Sequence, residues 1–273
     1  MKGHLIFAQN SDVDYVKQAY ALALTIQKNN SINNVAIVTN NLIPKKYKHV
    51  FDYIIEIPWD DDAKDSHWKI ENRWKLIHTS PFDETMVYDS DMLLLTSNDD
   101  WWDILEKHDV FLTSEVLDYR NNIINDTKLR KVFTENSLPN VYFGFHYFKK
   151  TKRAYEFYKW LEVIVKNYKV FYKKFTPISS QNFCSMDVNV AIATKILDAV
   201  EEFTLPNSPI KFVHMKKELQ NWQEIPASWS SCLLINFTKN FKFYLSNNLQ
   251  NGLFHYTEDE FLTEEIIGII ENE

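Results

Sequence analysis

The chain has 273 residues, 45% of them hydrophobic and 25% charged, with a formal net charge of -7 at pH 7, a composition that builds a core and excludes a disordered tail. Its 30 Lys and Arg against 37 Asp and Glu repel phosphate polymers in bulk, so nucleic acid is not an expected partner. The 4 glycines, Gly3, Gly144, Gly252 and Gly268, exclude a Walker loop and a G-x-G-x-x-G fingerprint, which need glycine where backbone approaches phosphate.

In chain order, Leu5 to Ala8 is an apolar strand, and from Val13 apolar residues return at helical spacing, with Ser11 or Asp12 as the N-cap. Further strands at Val35–Thr39, Val50–Ile57 and Met86–Asp89 alternate with helical stretches, which predicts an α/β fold with a mostly parallel central sheet flanked by helices. The acidic run Asp60-Asp61-Asp62 reads as a solvated loop, because neighbouring carboxylates on a flexible chain repel one another. Strands at Val110–Thr113 and Val141–Phe148 follow, then a helix from about Thr151 and a second one after Ser185. Lys211–Met215 makes a short strand, and a closing helix from about Thr263 turns Ile266, Ile267 and Ile270 inward.

Cys184 and Cys232 are too few for a disulfide framework and lack the spacing of a zinc site. With no leader pattern and no apolar run of about 18 residues, the expectation is a soluble cytoplasmic protein without a membrane span. Trp101, Trp102, Trp222 and Trp229 each either stack a sugar or fill the core.

The segment Thr85-Met86-Val87-Tyr88-Asp89-Ser90-Asp91-Met92-Leu93-Leu94-Leu95 places two carboxylates two residues apart at the end of a buried strand. Strand alternation turns Asp89 and Asp91 to one face and Ser90 to the other. Such a pair also ends strands merely to cap a turn. Two ionised carboxylates amid apolar neighbours nevertheless need a positive partner, and Mn²⁺ or Mg²⁺ supplies it while leaving coordination positions for diphosphate oxygens.

Lys75-Leu76 followed by Ser80 to Met92 resembles the corresponding stretch of GT-A-fold glycosyltransferases, most closely the glycogenin-like and lipopolysaccharide-galactosyltransferase-like family 8. The resemblance implies a GT-A fold over residues 1–273 as a single catalytic domain. Its nucleotide-binding half covers about 1–115, and its acceptor-side half and closing segment about 116–273. It also implies a metal-dependent hexosyltransferase that retains anomeric configuration, moving sugar from a nucleoside diphosphate sugar, a UDP-sugar in particular, to a hydroxyl of a glycan, protein or small molecule. Carried over by position, Ala8, Gln9 and Asn10 after Phe7 touch base and ribose, with Tyr15 stacking nearby and Ser90 within the donor-binding turn. Asp89 and Asp91 hold the metal. Lys75 contacts the diphosphate or donor sugar, with Arg73 as its substitute. Asp187, in the place of a helix-opening Asp, binds donor hydroxyls, so Asp187 and Lys75 are the catalytic candidates. The third metal ligand is His214, in the run from Phe212 to Trp222, with Lys216 or Lys217 on the β-phosphate. His255 in Leu253-Phe254-His255-Tyr256 competes with His214. Tyr142-Phe143-Gly144 keeps the family's glycine but replaces the polar pair before it.

Two other readings remain. A haloacid-dehalogenase-type phosphatase also ends a strand in Asp-x-Asp, but near the start of its fold and with later acidic motifs missing here. A non-catalytic sugar-nucleotide or glycan binding module would keep the fold and lose turnover.

Overall fold

The computed structural model describes residues 1–124, 130–220, 222, 228–238 and 242–272. Its strands are β1 (Lys2–Phe7), β2 (Val35–Val38), β3 (Tyr53–Ile55), β4 (Glu84–Asp89), β5 (Met92–Leu94), β6 (Val110–Thr113), β7 (Tyr142–Lys149), β8 (Phe212–His214), β9 (Ile235–Phe237), β10 (Phe243–Leu245), β11 (Asn248–Leu249) and β12 (Leu253–His255). Six of them form the central sheet, in the order β3-β2-β1-β4-β7-β6. β1 to β4 run parallel, and β7 is antiparallel to both β4 and β6.

Each face of this sheet carries its own core, as alternation along a strand requires. Ile6, Met86, Tyr88 and Tyr147 face the Tyr15–Asn29 helix and the C-terminal segments. Leu5, Phe7, Val87 and Phe148 face the Lys152–Lys166 and Met186–Ile196 helices. Asp14 caps the first helix by accepting from the Lys17 amide at 3.1 Å, where the sequence reading placed Ser11 or Asp12. Thr151 caps the Lys152–Lys166 helix as its position predicts, and Tyr168–Phe175 is a separate helix. Trp101, Trp102 and Trp229 are core residues. Among the described residues no helix is long and apolar enough to cross a membrane.

A second, three-stranded sheet in the order β5-β12-β8 decides what meets at the end of β4. β4 stops at Asp89, the chain turns through Ser90 and Asp91, and β5 begins in this other sheet. The two acidic residues therefore share a side because of a turn between two sheets, not because one continuous strand alternates. β12 lies antiparallel to β5 and parallel to β8, in a register that sets His255 beside both Met92 and His214.

Candidate metal centre and cleft

Phe7 and Asp89 are register partners at the C-terminal ends of the parallel strands β1 and β4, the edge at which open α/β sheets bind ligands. A cleft of about 560 Å³ opens there, lined among others by Phe7, Asp89, Ser90, Asp91, Asp187, His214, Lys216 and His255. Gly144 on β7 lets the strand pass Asp89 closely: a Cβ there would lie 3.1 Å from Asp89 Oδ2 and 3.1 Å from Met92 Cε.

Asp89, Asp91 and His255 each turn a ligand atom into a common space, all within 4.8 Å of one another. His255 Nε2 stands 2.9 Å from Asp91 Oδ2, and Arg73 Nη1 donates to Asp89 Oδ1 at 2.6 Å. Burial pushes the Asp89 carboxyl up, against the pull of Arg73. On Asp91 burial pushes the same way, but the charge and hydrogen bond of His255 outweigh it and hold the carboxyl below its usual range. Burial pulls the His255 imidazole down, Asp91 outweighs that too, and the ring ends above its ordinary value.

The positive partner that the two carboxylates need is thus supplied in part by the protein itself, by Arg73 to one and His255 to the other. The donor set still fits a divalent ion. Two carboxylates and an imidazole suit Mn²⁺ or Mg²⁺, whereas Nε of Arg73, buried without a hydrogen-bond partner, is a donor that suits an anion beside them.

Several sequence-predicted residues fall elsewhere. His214 is outside the converging trio; its ring lies 4.4 Å from that of His255, and burial together with the His255 charge holds its pKa well below the usual value. Parallel pairing of β8 with β12 makes the two histidines neighbours, and only the one facing the Asp91 turn reaches the carboxylates. Lys75 is turned away and 1% exposed, its ammonium bound to the Asp60 carbonyl and to Asn72 Oδ1 at 2.7 Å, so Arg73 takes the cleft position instead. Arg73 and Lys75 sit two residues apart on one 3₁₀ turn, and such spacing sends them to different sides.

Ala8 is buried in the core. Asn10 accepts from the Val16 amide and donates to Asp14, which makes it part of the helix cap. Gln9 lines the cleft, but its amide is spent on Asp61 at 2.8 Å and Asn72 at 3.0 Å. The acidic run is an exposed loop as expected, and Asp61 and Asp62 also tie it down by hydrogen bonds, with Asp62 accepting from the Trp74 indole. Tyr15, Ser90, Lys216 and Lys217 line the cleft, and Ser90 Oγ donates to Gln18.

Asp187 lines it as well, braced by Arg130 at 2.6 Å and by the Phe143 amide at 2.9 Å. Arg130, missed in the sequence, is itself held between the rings of Phe133 and Tyr142 at 3.9 and 4.1 Å. Trp68, Lys69, Phe183, Glu258 and Asp259 also line the cleft and were not foreseen, since they lie on irregular segments with no periodic signal.

No protein-family model and no curated protein matches the sequence. Solved structures do. An active-site mutant of LgtC is similar over 99% of this chain and 95% of that one, with a TM-score of 0.53 and 10% identity. The galactosyltransferase LgtC in complex with donor and acceptor sugar analogs matches over 71% and 70%, with a TM-score of 0.47 and 10% identity. The glycosyltransferase GlyE of Streptococcus pneumoniae matches over 99% of this chain and 59% of its own, with a TM-score of 0.49 and 10% identity. The chain has a GT-A-like α/β fold, with an Asp-Asp-His trio at the C-terminal edge of its parallel strands.

Proposed function

We propose that the chain is a metal-dependent glycosyltransferase of the family 8 type, taking a nucleoside diphosphate sugar, a UDP-sugar in particular, and transferring its sugar to a hydroxyl acceptor. The observation that carries this reading is the convergence of Asp89, Asp91 and His255 inside a cleft of ligand size on a GT-A-like fold. Asp89, Asp91 and His255 would hold Mn²⁺ or Mg²⁺. When bound, that ion neutralises charge developing on a departing diphosphate.

The chain's own groups do the rest. Arg73, with its unpaired Nε, offers a forked donor to phosphate oxygens, and Lys216 and Lys217 add positive charge to the cleft. Tyr15 presents an aromatic ring at the nucleotide side. Asp187 is held rigid by Arg130 and the Phe143 amide, which suits an oxygen acceptor that must orient a sugar hydroxyl. On this reading residues 1–115 bind the nucleotide, while 116–273 supply Asp187, Lys216 and His255 and the acceptor side. The two free thiols fit a reducing, cytoplasmic setting.

A thermal-shift panel of nucleoside diphosphates and their sugars, with and without Mn²⁺, tests the proposal. UDP or a UDP-sugar with Mn²⁺ at about 100 times its Kd should raise Tm by about 5 °C, and omission of the metal should remove most of that gain. If no nucleoside diphosphate raises Tm with either metal, the reading fails. The charges already balanced by Arg73 and His255 favour a second reading, a non-catalytic sugar-nucleotide binding module. Slow Mn²⁺-dependent donor hydrolysis separates the two, because only the transferase shows it.

A further inference from the structure

Away from the cleft, a pocket of about 420 Å³ is floored by Trp59 and Trp74. The two indoles stack nearly parallel, 7° apart with centroids at 5.6 Å, and His78 stands edge-on to Trp59 at 5.3 Å. Trp74 is buried, yet Trp59 keeps 65% of its surface exposed. Its backbone is in the left-handed region at φ 60°, a conformation that costs a bulky residue free energy. The Trp74 stack and the His78 edge hold the indole in place while most of its surface stays open to solvent.

The rim selects the ligand. Three lysines and three carboxylates line it, so the rim carries no net charge. Lys159 and Lys166 both bind Glu162, at 2.7 and 2.9 Å, and Lys75 lies 3.4 Å from Asp62. With both signs present in equal number, the rim gives a charged ligand no net attraction. A neutral polyhydroxyl ring would find an aromatic face to stack on, with ammonium donors and carboxylate acceptors around it.

We propose that this pocket is a second saccharide site, taking one neutral sugar ring of an oligosaccharide on the Trp59 face. The 58–70 segment joins it to the cleft, since Trp59 and Asp60 line this pocket while Trp68 and Lys69 line the other. Identifying the bound sugar as a remote part of the acceptor rests on the transferase reading. Binding itself does not, and it is measurable without donor or metal.

The test follows the indole resonances of the full chain, with Trp59 assigned from Trp59→Phe, during titration with maltopentaose, cellopentaose, chitopentaose and mannopentaose at millimolar concentration. At least one should shift the Trp59 signal. Trp59→Ala should weaken its binding about tenfold, the worth of one aromatic stacking contact. Asp60→Ala, which leaves the Asp60 carbonyl on Lys75 intact, should weaken it less, and Trp68→Ala should leave it unchanged. The proposal is overturned if none of the four moves Trp59, if binding survives both Trp59→Ala and Asp60→Ala, or if Trp68→Ala abolishes it. Loss of Mn²⁺-dependent donor binding with saccharide binding retained would instead remove the transferase reading alone.

Discussion

The molecule buries two pairs of histidines, and the pairs differ in whether a ring meets a carboxylate. In the central sheet, His4 on β1 meets the Tyr88 hydroxyl at 3.0 Å and the Ile32 carbonyl at 2.8 Å. His146 on β7 meets the Phe143 carbonyl at 2.9 Å and the Tyr158 hydroxyl at 2.8 Å. All four ring nitrogens have neutral partners, and burial lowers the two rings to about 4 and about 3. In the small sheet, His255 faces a carboxylate and is raised, while His214 beside it is lowered. Burial is common to all four, so it does not make a histidine a ligand. What sets His255 apart is the Asp91 carboxylate across from its ring.

The largest effect that separates the regions is catalytic. Asp91→Ala and His255→Ala should each cut Mn²⁺-dependent donor hydrolysis by more than about 100-fold, beyond what removing even an outer partner of a metal ligand reaches. His214→Ala should cost far less, and an equal loss would erase the distinction between the two neighbours. Next comes the pair on the 3₁₀ turn. Arg73→Ala should raise the donor KM by about tenfold or more, the worth of a charge-assisted hydrogen bond, as read in steady-state kinetics. Lys75→Met should leave that KM unchanged and lower Tm, because it strips the partner from the loop at Asp60 and Asp62.

A further effect is on acid stability. His4 and His146 take up protons on unfolding once the pH drops below about 6.5, so each should remove about 1.4 kcal/mol of stability per pH unit down to its folded value. His255 has the opposite sign: its contribution is present below about 6.5 and is lost as pH rises through its raised folded value. Urea unfolding at pH 7 and pH 5 should therefore show a shallower acid loss for His146→Gln and a steeper one for His255→Gln. Matching slopes for both variants would break the comparison.

How much of this the sequence holds follows from the range of each interaction. Strand Val110–Thr113 and the helix after Thr151 come from local periodicity and appear where it puts them. The central sheet and its helices follow from the alternation of such elements, and the GT-A-like fold matches the expectation. Asp89 and Asp91 stand out because their unusual feature, charge inside an apolar run, is local. His255 does not, since its importance comes from the register of β12 on β5, a pairing between distant segments. Local spacing likewise does not say which of Arg73 and Lys75 turns inward, and Trp68 and Phe183 reach the cleft from segments without any period.

One consequence lies in the threading of β12 between β5 and β8. A growing polypeptide that has not yet delivered Leu253–His255 holds Asp91 but not the imidazole that answers it, so the trio cannot form before that strand is made.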